Sequence, residues 1–155
     1  MSDSTDVIDV LNALHRIFRA VDTRDWTLYR SLMADRIEID YGGISDKQPG
    51  WVDADEIAAN TSRRLGPLHA SQHAVFNHIV EVDGDVATIH FYERALHYHP
   101  DLGPDDSAST WILYADCTRK FRRTPEGWVM TAAFVRPIRH EGNQHLISDI
   151  APTVP

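Results

Sequence analysis

The chain has a single cysteine, Cys117, in 155 residues, so it can close no internal disulfide. That fits a reducing compartment, and we expect a cytoplasmic protein. It also lacks any apolar run near the ~20 residues that span a bilayer. Its start, Met-Ser-Asp-Ser-Thr-Asp, has neither the basic nor the apolar block of a secretory signal. Basic residues are few: 15 Lys and Arg against 23 Asp and Glu leave a formal charge of −8. A nucleic-acid partner, which needs clustered cations against phosphate, is therefore not expected, nor is a membrane partner. The densest basic cluster, Arg119 to Arg123, alternates along an expected strand and reads as a solvated sheet face. A glycine-rich phosphate loop, a Gly-x-Ser-x-Gly elbow and a dinucleotide fingerprint are all missing. These absences leave cofactor-free proton chemistry as the simplest enzymatic reading.

What is present suits one domain over residues 1–155, with a core over about 6–140 and a tail over 141–155. Ile8, Leu11, Leu14, Ile17, Phe18 and Val21 recur at helical spacing and predict an amphipathic helix over 6–22. Leu11, His15, Phe18 and Asp22 form one stripe of it, so Asp22 projects toward the core side. A carboxylate there must find a donor or cap a turn, and the pattern does not choose between them. Asp25 is the expected N-cap of a short helix over 26–33. Residues 36–41 alternate as a strand that turns Tyr41 inward beside Ile37 and Ile39. Asp53 and Glu56 resemble a capping box for a helix over 54–65, with Trp51 stapling its entry.

From residue 73 the pattern is β. Strands over 74–82 and 85–97 meet at Asp83-Gly84, and strands over 111–123 and 128–137 meet at Thr124 to Gly127. The tail shows no period and is expected to wrap the surface or fray. Three early helices followed by a meandering antiparallel sheet make an α+β domain. A strongly curved sheet of this kind, with helices across its open side, encloses a small-molecule pocket.

His73 opens the first strand of that run and shares its inward parity with Val75, Asn77 and Ile79. A lone histidine on an apolar face is ordinarily a hydrogen-bonded core residue. Yet imidazole, with a reference pKa of ~6.5, is the side chain suited to proton transfer near neutrality. Asp22 could hold its second nitrogen if the fold brings them together. His97 and His99 share a strand face, and His97 shares parity with Phe91 and Glu93. No third ligand of metal-site spacing accompanies them, so we expect no metal and read His97 as a polar pocket group. Cys117 reads as a structural thiol.

Ala-Val-Asp-Thr-Arg-Asp-Trp at 20–26, Ile-Asp-Tyr at 39–41, Ser-Gln-His at 71–73, Val-Asp-Gly-Asp at 82–85 and Glu-Gly-Trp at 126–128 occur in a telling order. In that order the chain resembles the SnoaL-like branch of the NTF2-like superfamily, over most of residues 6–140. Within it the chain is most similar to the scytalone dehydratases, and similar also to dehydrochlorinase and bile-acid dehydratase relatives. The resemblance implies an NTF2-like cone and a proton-abstracting dyad of His73 and Asp22. It also implies Tyr41 and His97 as groups that polarise a carbonyl or protonate a leaving hydroxyl. Phe18, Val75, Phe91 and Cys117 are expected to line the pocket. Three positions depart from the dehydratase pattern: Val21 replaces a tyrosine, and Ala115 and Cys117 replace a serine and an asparagine. The implied activity is a cofactor-independent, dehydratase-like lyase acting on a small cyclic or aromatic ketone. Isomerase or cyclase chemistry would use the same parts. The fold also serves as a non-catalytic ligand-binding domain or as the small subunit of ring-hydroxylating dioxygenases. A homodimer or homotrimer is implied, with Trp111, Tyr114 and Trp128 as large residues on the long strands.

Overall fold

A computed structural model describes residues 4–45 and 47–150. The first helix, α1 (Ser4–Asp22), is amphipathic, with Val10, Leu14, Ile17, Phe18 and Val21 buried, but Ile8 and His15 of the predicted face are exposed. It ends in a Schellman motif: the Asp25 N–H bonds the Ala20 carbonyl and the Arg24 N–H bonds that of Val21. Arg24 takes the left-handed position at φ 58° that glycine usually fills. Its guanidinium offsets that strain by donating to the carbonyls of Asp22, Gly66 and Leu68. The end of α1 is thereby tied to the segment that leads into the third strand.

Helix α2 (Trp26–Ser31) begins at the expected cap, where Asp25 accepts from the Leu28 N–H at 2.9 Å. It stops earlier than its pattern suggests, because Met33 already opens strand β1 (Met33–Asp40). A short strand, β2 (Gly50–Asp53), pairs antiparallel with β1 and precedes α3 (Ala54–Leu65). The anticipated capping box is not formed. Asp53 makes no side-chain cap bond and faces Arg36 instead, while Glu56 pairs with Lys47. Trp51 is exposed and staples nothing.

Four long strands follow: β3 (Ala70–Asp83), β4 (Val86–Tyr98), β5 (Thr110–Thr124) and β6 (Gly127–Gly142). The sheet order is β2-β1-β6-β5-β4-β3. Every pairing is antiparallel except β1 with β6, which is parallel, so the expected all-antiparallel sheet is corrected at that one seam. Register shifts in the β1–β6, β3–β4 and β5–β6 pairs bend the sheet, since a bulge inserts a residue on one strand only. The concave face closes over α1 and α3, and the core lies between them. The result is an α+β cone of helices on a curved sheet.

Two sequence expectations fail on β3. The strand begins at Ala70, so His73 lies inside it, and a bulge at Asn77 (φ 57°) reverses the alternation. Beyond it His78, Val80 and Val82 turn inward and Ile79 outward, 62% exposed, contrary to the parity read for Asn77 and Ile79. The loop 100–109 contains a 3-10 turn (Pro100–Leu102) and a short helix, α4 (Asp106–Ser109). The tail is also more ordered than its lack of period suggests. Strand β6 runs to Gly142 and α5 (Leu146–Ile150) buries Leu146 and Ile147, while residues 151–155 lie outside the described part. Gly142, at φ 75°, brings β6 so near the Thr110 carbonyl that any Cβ would collide with it. Trp111 and Trp128 point into the core, so they do not furnish an outer face. Among the described residues the large exposed apolar side chains on the sheet are instead Trp51, Phe76, Ile79, Val86, Tyr92 and Ile138. Among the described residues no helix is long and apolar enough to cross a membrane.

Candidate active site

Asp22 is the last residue of α1, at the negative end of the helix dipole, where a carboxylate is disfavoured unless a donor meets it. Strand β3 supplies three donors. The Asp22 Oδ1 accepts from His73 Nδ1–H at 2.6 Å and from the Ser71 hydroxyl at 3.0 Å. Its Oδ2 accepts from the His73 backbone N–H at 2.8 Å. The structure thus resolves the choice the helix pattern left open: Asp22 is paired with His73 and caps no turn with its side chain. Burial alone would raise the Asp22 pKa, but the bonds from His73 and Ser71 outweigh it and hold the carboxyl below its ordinary value. Burial likewise opposes the imidazolium of His73. The Asp22 bond and the charges of Glu93 and Asp22 overcome it, placing the His73 pKa above 6.5.

The ring of His73 is stacked on Phe18 at 5.5 Å and meets His97 edge-on at 5.7 Å. With Nδ1 engaged by Asp22, its Nε2 is the nitrogen left for chemistry. His97 is held differently. It stacks on Trp111 at 4.6 Å and its Nδ1–H donates to the Trp111 carbonyl at 3.3 Å. Burial and the neighbouring His73 push its pKa down to about 3. His97 is therefore a neutral imidazole with an acceptor nitrogen, which does not suit the proton-donor role anticipated from sequence.

These groups line a cavity of about 170 Å³ between the helices and the concave sheet, together with Phe18, Tyr41, Glu93 and Arg119. Burial pushes the Tyr41 hydroxyl up to about 12, so it remains a phenol able to donate. Three anticipated pocket residues stand behind the wall. Val75 is half-buried against the core, Phe91 packs edge-on to Phe18, and the Cys117 thiol donates to Glu93 at 3.2 Å. Phe91 packs on Phe18 and Cys117 on Glu93, and it is Phe18 and Glu93 that line the cavity. At its mouth the cavity meets a wider recess bordered by Lys47, Arg63, Arg64 and His140.

Two wall residues were not put forward as site residues, although the parity of Glu93 with His97 was read. Glu93 is 6% exposed and its Oε1 lies 3.9 Å from His73 Nε2. Arg119, 7% exposed, sits under Phe18 and Phe91 and donates to the Phe134 carbonyl at 3.1 Å. It corrects the reading of residues 119–123 as a wholly solvated face. Both could have been found by parity, since each continues the buried alternation of Ile89-Phe91 and of Leu113-Ala115-Cys117. No group of three or more His, Cys, Asp or Glu side chains among the described residues is arranged to hold a metal ion.

The family model for the SnoaL-like domain matches residues 2–133. The chain belongs to this family. No curated protein matches it in sequence. Among solved structures, a protein of Kribbella flavida is 27% identical over 93% of this chain and 97% of its own, with a TM-score of 0.83. A Novosphingobium aromaticivorans protein assigned as a scytalone dehydratase is 13% identical over 88% and 87%, with a TM-score of 0.75. A hexachlorocyclohexane dehydrochlorinase (LinA, type 2) is 18% identical over 90% and 92%, with a TM-score of 0.68. SnoaL-like membership and these neighbours agree with the NTF2-like cone.

Proposed function

We propose that this SnoaL-like protein is a cofactor-independent lyase of the dehydratase type, acting on a single-ring hydroxyketone. The observation that carries the reading is the 2.6 Å bond from Nδ1 of His73, a residue of the cavity wall, to Asp22 Oδ1. Asp22 fixes the tautomer and stabilises the imidazolium, leaving Nε2 free to accept a proton. In the proposed cycle Nε2 takes the proton α to the carbonyl, and the C–H electrons move onto the carbonyl oxygen as an enolate. Tyr41, a neutral phenol, is the donor suited to that oxygen. Collapse of the enolate forms the C=C bond and expels the β-hydroxyl, which collects the proton from Nε2–H and leaves as water. His73 thus acts as base and then acid, and His97 contributes an acceptor to the wall.

Size supports the ring class. A cavity of about 150 Å³ accommodates one benzene-sized ring, and this one is about 170 Å³. The neighbours named as a dehydratase and a dehydrochlorinase point to the same elimination chemistry. A non-catalytic binding role would have been favoured by a distant Asp22, and the carboxylate is in contact. Turnover of a panel of monocyclic β-hydroxyketones, followed by enone absorbance, tests the reading. His73→Ala is expected to lose about 10²–10⁴-fold in kcat/KM, and undiminished turnover in that variant would sink the assignment.

A further inference from the structure

We propose that Glu93 is the recognition group for a hydroxyl on the bound ring, so that the cavity selects ligands carrying an O–H donor. Glu93 lies on the cavity-facing side of β4, and only one of its oxygens is engaged. The Oε2 accepts from the Cys117 thiol at 3.2 Å. Burial and the adjacent Glu93 charge raise the Cys117 pKa far above neutrality, so that sulfur keeps its proton and remains a donor. The Oε1 makes no hydrogen bond among the described residues, and its nearest cationic neighbour, His73 Nε2, stands 3.9 Å away, too far for one. Glu93 lines the cavity, so Oε1 can be reached from it, and a carboxylate oxygen accepts rather than donates. The group that completes Oε1 must therefore arrive with a hydrogen of its own.

The geometry narrows that group further. An oxygen about 2.8 Å from each atom fits a 3.9 Å gap as a bent bridge. A hydroxyl in that place donates to Oε1 of Glu93, and it accepts from Nε2–H once His73 carries the abstracted proton. A carbonyl oxygen, an ether or a halogen there would set lone pairs against the carboxylate. Arg119 does not fill the gap in its observed pose: its Nη1 donates to the carbonyls of Phe134 and Thr118, and it makes no ion pair with Glu93. The ligand class is thus a hydroxylated single ring, with the hydroxyl bridging His73 and Glu93.

The inference rests on the cavity being the substrate site, as proposed above, but its test needs no turnover. Phenol and fluorobenzene are nearly isosteric and differ in the O–H donor. Calorimetric titration at pH 7 is expected to show wild-type protein binding phenol about 10- to 100-fold tighter, the range for a hydrogen bond to a charged group. The preference should fall several-fold in Glu93→Gln, whose amide is a weaker acceptor, and vanish in Glu93→Leu. Phenol binding that is undetectable or no tighter than that of fluorobenzene overturns the proposal, whether or not the variants fold. So does a preference unchanged in a folded Glu93 variant. An intact, Glu93-dependent phenol preference alongside full hydroxyketone turnover by His73→Ala would support this inference and overturn the lyase reading alone.

Discussion

At the residue scale the site depends on opposite treatments of two histidines 5.7 Å apart. His73 has carboxylates near both nitrogens, whereas His97 has a carbonyl on one and an indole face beside it. Burial disfavours the charged form of both, and the carboxylates alone reverse the outcome, so His73 titrates above 6.5 and His97 at about 3. The sign of the pH dependence follows. A base must be neutral, so kcat/KM should fall as pH drops through the His73 pKa, giving an acid limb above pH 6.5. Asp22→Asn removes the bond that raises this pKa and permits the wrong ring tautomer. Its limb should move to lower pH while the plateau falls by about 10²–10⁴-fold. An acid limb that stays in place in Asp22→Asn would separate Asp22 from the titration. Asp22 and His73 were readable as a candidate pair from type and position. Their contact was not, because 51 residues of chain separate them.

At the scale of elements the decisive device is the bulge on β3. A strand's side chains alternate strictly, so one inserted residue moves every later side chain to the other face. Asn77 provides that residue in the left-handed region, which asparagine tolerates better than most. Asn77→Val, β-branched where φ is positive, is expected to cost about 1–2 kcal/mol in urea unfolding. Asn77→Gly should be neutral within a few tenths of a kcal/mol. Equal stability of the Val and Gly variants would show that the bulge imposes no strain. Alternation alone mislaid this feature, since Asn77 and Ile79 look inward to a strict count of two. The hairpin at Asp83-Gly84 was legible because its dipeptide signals a turn locally, and Gly84 indeed has φ 58°.

At the scale of the whole molecule the buried site makes folding itself pH-dependent. The folded pKa of His97 lies below its unfolded value, so its neutral form contributes stability above pH 6.5 that is lost as pH falls toward 3. Between pH 6.5 and 5 that amounts to about 2 kcal/mol at most, at ~1.4 kcal/mol per unit. Asp22, also depressed, adds a loss of the same sign as pH falls below its ordinary 3.8. His73 acts in reverse: its contribution is present below 6.5 and is lost as pH rises through its elevated pKa. Stability should therefore decline on both sides of a window near neutrality. His97→Phe, which keeps a ring against Trp111, should flatten the decline between pH 6.5 and 5 in urea titrations. An unaltered slope would mean that other groups cause it.

The sequence by itself determined the elements whose signals are local. These were the α1 stripe, the Asp25 cap, the two hairpins, and the order of helices before strands that resembles the SnoaL-like family. It also put His73, Asp22, Tyr41 and His97 forward by residue type. Tertiary structure alone decided which of these meet, and that the α1 terminus is held to the β3 entry by Arg24. It also decided that Glu93 and Arg119 share the wall and that β1 closes parallel on β6. The physical reason is range. Periodicity and turn chemistry act over a few residues, whereas hydrogen bonds, ring stacking and burial depend on distances set only once the sheet has curved.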